Sequence, residues 1–233
     1  MGSRRGPVPL ERNAIPVYTG LGAAQTRERR VELYYSHNLN PRVAVAVARH
    51  LGSPVAYVRA SPRHPAQIET FRTLNPNALV PVLVDGSEKL WETDAIACRL
   101  SAIAGSDFWR TGAELPDMIK WVSWSAYHLT RAADPLYFFR VVLPTFSDEK
   151  PDPALMEQSL RDFREHASVL DGALKGRTWL LGERLSYADF RVATALPFAE
   201  GAGLPLDEFA QVKRWHDQLW AMEAWREPFA GLA

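Results

Sequence analysis

Cysteine is nearly absent from this 233-residue chain: Cys98 is the only one. One thiol excludes an internal disulfide, a Cys-x-x-Cys redox pair and a cysteine-based zinc cluster, and it fits a reducing cytoplasm. Net charge is missing too, because 27 Lys and Arg balance 27 Asp and Glu. No overall field steers the chain toward nucleic acid or an anionic membrane, and neither is expected as a partner. Apolar runs are short and interrupted, well below the roughly 18–20 residues of a membrane span. The glycine patterns that cradle phosphates, the His-Glu-x-x-His helix and the Gly-x-Ser-x-Gly turn do not occur, so no metal is expected. What remains is 47% hydrophobic and 23% charged residues, the balance of an ordinary globular protein.

The zero charge hides an asymmetry. Residues 1–30 hold Arg4, Arg5, Arg12, Arg27, Arg29 and Arg30 against only Glu11 and Glu28, so the rest of the chain is mildly acidic. With three prolines, four glycines and no periodicity, that segment reads as a flexible basic extension. From Val31 the pattern alternates short strands and helices. Val31 to Tyr35 and Val55 to Val58 read as strands, and so do Val80 to Val84 and Lys89 to Trp91 around the turn signal Asp85-Gly86. Pro41 to Leu51 alternates valine and alanine, but Asn40 suits an N-cap and Gly52 the C′ position, so a buried helix is expected. Helices are also expected over 65–74 and from Thr93 to about Ala104. The order β-α-β-α-β-β-α implies an α/β layer over residues 31–104. A linker is expected at 105–116 and an all-helical domain at 117–233. There, Met156, Leu160, Phe163, Ala167, Leu170 and Leu174 form one apolar helix face, and Ser186 with Asp189 forms a capping box.

Three stretches carry a resemblance. Asn77-Ala78-Leu79-Val80-Pro81-Val82-Leu83, Glu92-Thr93-Asp94-Ala95-Ile96 and Trp179-Leu180-Leu181-Gly182-Glu183-Arg184-Leu185-Ser186-Tyr187-Ala188-Asp189 stand in this order within an α/β half followed by a helical half. Together they resemble the cytosolic glutathione transferase family. The resemblance implies a thioredoxin-like domain joined to a helical domain, usually as a homodimer. It implies glutathione as co-substrate, with no prosthetic group, and a small hydrophobic electrophile as acceptor. It also implies a cis Val80–Pro81 bond that leaves the Val80 backbone to pair with the cysteinyl part of glutathione. Glu92 and Thr93, at a helix start that favours anions, are implied to hold the γ-glutamyl end, and Asn40 is counted with the glutathione-binding residues.

The reacting centre is implied to lie in the loop Ser36-His37-Asn38-Leu39-Asn40-Pro41-Arg42, where a donor aimed at sulfur favours the thiolate. Counting back from Arg42 and Gly52 selects Asn38; counting from Pro41 selects Leu39, which cannot donate. Asn38 is preferred, with Ser36 and Tyr35 as runners-up. His37, Tyr127, His128 and Phe138 are expected to line the acceptor pocket. Glutathione-dependent peroxide reduction and a non-catalytic binding or regulatory role remain alternatives.

Overall fold

A computed structural model describes residues 31–232; the basic extension at 1–30 lies outside the described residues. β1 (Val31–Tyr35) pairs in parallel with β2 (Val55–Arg59) and antiparallel with β3 (Val82–Asp85), which pairs antiparallel with β4 (Glu88–Trp91). The sheet order is β2-β1-β3-β4. With α1 (Leu39–His50), α2 (Ile68–Arg72) and α3 (Thr93–Ile103), this is the expected thioredoxin-like unit.

The valine-alanine run is a helix, and its missing polar face has a cause. α1 packs on β1 and α3 and also meets the helices Tyr187–Val192 and Glu223–Arg226 of the helical half, so Pro41 to Ala48 are all buried. The helix starts two residues earlier than expected, with Asn38 at the N-cap position, because Leu39 is drawn into the core. Gly52 follows its end at φ 58°, a left-handed conformation that glycine adopts without a Cβ penalty. α2 is shorter than its expected span, and β3 begins after Pro81 rather than before it. The hairpin turn is Gly86-Ser87, one residue beyond the expected pair, since Asp85 already faces Glu88 in the ladder.

The second half is helical. α4 (Leu115–Trp124), a π turn at Ser125–Leu129, α5 (Thr130–Tyr137) and a second π turn at Phe138–Val142 run on without a break. Pro135 lies inside α5, where it cannot donate to the preceding turn and its ring crowds the carbonyl four residues back; π turns flank it on both sides. α6 (Pro153–Ala173) buries Met156, Phe163, Ala167 and Leu170 as expected, and α7 (Tyr187–Val192), α8 (Ala199–Ala202), α9 (Ala210–Trp220) and α10 (Glu223–Arg226) complete the domain. The 105–116 segment is not a loose connection. Phe108 and Arg110 are buried, the Phe108 carbonyl accepts from Tyr187 N–H at 2.8 Å, and Arg110 donates to the carbonyls of Arg184 and Leu185.

No described helix is long and apolar enough to cross a membrane.

Candidate functional site

A cleft of about 920 Å³ opens where the two halves meet. From the sheet domain it is lined by Ser36, Asn38, Leu39, Asn40 and Pro41, by the 60–64 loop, and by Leu79 and Val80. The helical wall contributes Thr130, Arg131, Asp134, Tyr137, Phe138 and Arg191, among others. Chain order explains the meeting: the end of β1, the end of β2 and the start of β3 emerge at one end of the sheet, and the helix bearing Pro135 lies opposite.

The Val80–Pro81 bond is cis. Neither the N–H nor the C=O of Val80 has a hydrogen-bond partner among the described residues, so both can pair with an extended ligand. Pro81 is buried beside it and does not line the cleft. Asn38 makes no capping bond with its side chain; its Nδ2 donates to Ser36 Oγ at 3.3 Å, at an exposed position. Both residues therefore present polar groups to the cleft.

Glu92 and Thr93 stand at the start of α3 without lining the cleft themselves. Glu92 has φ 71° and ψ 127°, a backbone state that costs an ordinary residue about 1–3 kcal/mol. Thr93 is buried, and its hydroxyl donates to the Asn40 carbonyl at 3.2 Å, tying the α3 start to the α1 start. The first N–H groups of α3 have no partner within the helix.

Other expected residues lie elsewhere. Tyr35 is buried at 1% exposure beneath Phe229 and His37 and does not line the cleft, because its strand turns it toward the C-terminal segment. His37 stacks on Phe229 with ring centroids 4.3 Å apart instead of facing the pocket. Burial and the nearby Arg59 lower its pKa. Tyr127 is 71% exposed, and His128 packs against Trp124 and His166; neither lines the cleft. Of the four residues expected in the acceptor pocket, only Phe138 lines the cleft. The wall is also less apolar than expected, since Thr130, Arg131 and Asp134 share it with Tyr137 and Phe138. Burial raises the pKa of Asp134, and burial together with Asp134 raises that of Tyr137.

The family model for the glutathione S-transferase N-terminal domain matches residues 31–98, and that for the C-terminal domain matches residues 134–223. The chain belongs to the glutathione S-transferase family. Among its relatives, the glutathione S-transferase GstB of Escherichia coli K12 is 28% identical over 153 residues, covering 64% of this chain and 72% of the relative. Solved structures share the fold, two of which illustrate it. Glutathione S-transferase I from maize, in complex with an atrazine glutathione conjugate, superposes with a TM-score of 0.77 at 22% identity, over 86% of this chain and 97% of that one. The theta class glutathione S-transferase from Xanthomonas axonopodis pv. citri, with glutathione bound, gives 0.73 at 24% identity over the same shares.

Within this glutathione S-transferase fold, sequence reasoning missed Thr130, Arg131, Asp134 and Arg191. Pro135 was the available signal for the first three, since a proline inside a helical pattern marks a bent segment. Arg191 carried a weaker signal, a cation in a helix whose other residues are apolar or already used for capping.

Proposed function

We propose that the protein is a glutathione transferase that holds glutathione as its thiolate and directs it at an electrophilic carbon of a second substrate. One observation carries the reading: the unpaired Val80 backbone shares a cleft with the polar side chains of Asn38 and Ser36. Family membership supplies the ligand, and the glutathione-containing structures above support it.

In this reading Val80 N–H and C=O pair with the cysteinyl backbone of glutathione, and the α3 start with Glu92 takes the γ-glutamyl end. Asn38 Nδ2 donates to the sulfur. A free thiol has a pKa near 8.5, and a hydrogen bond to a charged group is worth about 1.5–3 kcal/mol, enough to lower that pKa by about one to two units. An amide cannot take the thiol proton, which leaves to solvent. The thiolate then forms the C–S bond as the acceptor's leaving group departs, or adds across an activated double bond. Phe138 and Tyr137 pack against the acceptor's apolar part. Cys98 takes no part: it is half-buried in α3, and burial pushes its thiol pKa up.

The reading also covers a homodimer in the cytoplasm, supported by family membership and the lone thiol, and light scattering and cell fractionation test these two points. The activity is tested by glutathione-dependent thermal stabilisation, then by conjugation across a panel of electrophiles. Asn38→Ala is expected to raise the bound-thiol pKa by about one to two units and Ser36→Ala to change it less. The reverse ranking assigns activation to Ser36. Binding without conjugation or peroxide reduction supports the non-catalytic alternative.

A further inference from the structure

One cation in the cleft has no task in that chemistry. Arg191 belongs to α7 of the helical domain, is only 7% exposed, and still lines the cleft. Its Nη1 donates to Asn40 Oδ1 at 2.9 Å, and its Nε forms an ion pair with Asp94 Oδ1 at 2.9 Å. Asp94 also accepts from the Tyr187 hydroxyl at 2.5 Å, and Thr93 Oγ1 reaches the Asn40 carbonyl. One guanidinium thus touches two segments of the opposite domain, the start of α1 at 38–40 and the start of α3 at 92–94. These are the two segments that the functional reading assigns to the sulfur and to the γ-glutamyl end of glutathione.

A buried cation requires partners, and the Asp94 carboxylate, held by Tyr187, supplies the opposite charge of a clamp between domains, although Arg191 Nε makes no hydrogen bond. The bond to Asn40 is different. It ends on an exposed side chain at the cleft, two residues from Asn38. A planar guanidinium can hold two acceptors in fixed directions at once, which an ammonium does less well.

We propose that Arg191 is a positioning residue of the glutathione site, setting the spacing between the Asn38–Asn40 loop and the Glu92–Asp94 helix start. The proposal rests on the functional reading above. The helical domain thereby does more than wall off an acceptor: it fixes the geometry of the co-substrate site in the other domain. A loop held by one contact fewer lets the sulfur drift from its donor, and a misplacement of about 1 Å costs up to about 100-fold in rate.

The test uses the full chain and three variants, Arg191→Lys, Asn40→Ser and Asn38→Ala, with glutathione KM, kcat for one fixed electrophile, the bound-thiol pKa from the pH–rate profile, and the melting temperature as readouts. Arg191→Lys is expected to lower kcat/KM for glutathione by about 10- to 100-fold and to raise the bound-thiol pKa. In the Asn38→Ala background it produces no further pKa change, because its effect on the sulfur runs through that loop. Asn40→Ser removes the loop contact while leaving the Arg191–Asp94 pair intact. It is expected to shift KM and thiol pKa in the same direction with a smaller fall in melting temperature than Arg191→Lys, which keeps the test decisive if Arg191→Lys does not fold. Parent-like kinetics in Asn40→Ser, or losses in Arg191→Lys that only track a lower melting temperature, overturn the proposal in favour of a plain domain clamp. A parent chain that neither binds glutathione nor turns it over overturns the functional reading, and this proposal falls with it.

Discussion

Glu92 combines backbone cost with proposed function. Its φ of 71° lies where glycine is at ease and glutamate is not, and the start of α3 holds it there. Such a residue persists when its side chain is useful, and the role proposed for it is partner of the γ-glutamyl ammonium. Glu92→Gly separates the two effects: it should keep or raise stability by up to about 1 kcal/mol while glutathione KM rises. Glu92→Ala should raise KM as much without the gain in stability. Thermal melts with and without glutathione, beside initial-rate kinetics, check both. An equal KM in the glycine variant and the parent would remove Glu92 from the site.

At the scale of elements, the clearest case is the start of α7. Asp189 is buried, and its carboxylate accepts from the N–H groups of Leu180 and Ser186, both at 2.9 Å, and from Ser186 Oγ and Trp215 Nε1, both at 3.0 Å. Burial still raises its pKa, and these bonds act against that rise. Asp189→Ala strands several buried donors at about 1–3 kcal/mol each, so at least about 3 kcal/mol should be lost, seen as a lower urea midpoint. The capping box was legible in the sequence because a cap is a local contract between residues three apart, and so was the α6 stripe. The strands were legible from their alternation, to within a residue or two. The site was legible only in part. Val80, Asn38, Ser36 and Asn40 lie in segments with turn or proline signals, whereas Arg191 reaches the cleft through a contact spanning 151 residues. Tyr127 and His128 show the converse failure: helical spacing groups them with Trp124, but the direction of their face depends on packing and on the π turn that contains them.

The two domains are joined by more than the cleft. Arg42, buried in α1, donates to the carbonyls of Trp225 and Arg226, and its guanidinium lies 4.8 Å from the Trp225 ring centroid. Burial brings its pKa down to about 10, so it stays charged at neutral pH. His216 on α9 feels that charge. Burial is the main cause that lowers its pKa from 6.5 to about 4; Asp217 opposes the shift, while Lys213 and Arg42 add to it. Its Nδ1 is buried without a partner and its ring packs on Trp220. Between pH 6.5 and about 4 the unfolded chain binds a proton at this residue that the folded chain refuses, so stability rises with pH across that window. The contribution is complete above about pH 6.5 and is lost as pH falls toward 4, to a total of about 3 kcal/mol. His216→Phe keeps an aromatic ring and removes the titration. Urea unfolding of parent and variant at pH 7 and pH 4 should show the variant gaining about 3 kcal/mol relative to the parent at the lower pH. Asp189, whose raised pKa gives the opposite slope, is common to both proteins and cancels in that difference. Parallel pH profiles would mean that His216 is protonated in the folded chain, with its burial relieved by movement where α9 packs near the domain junction.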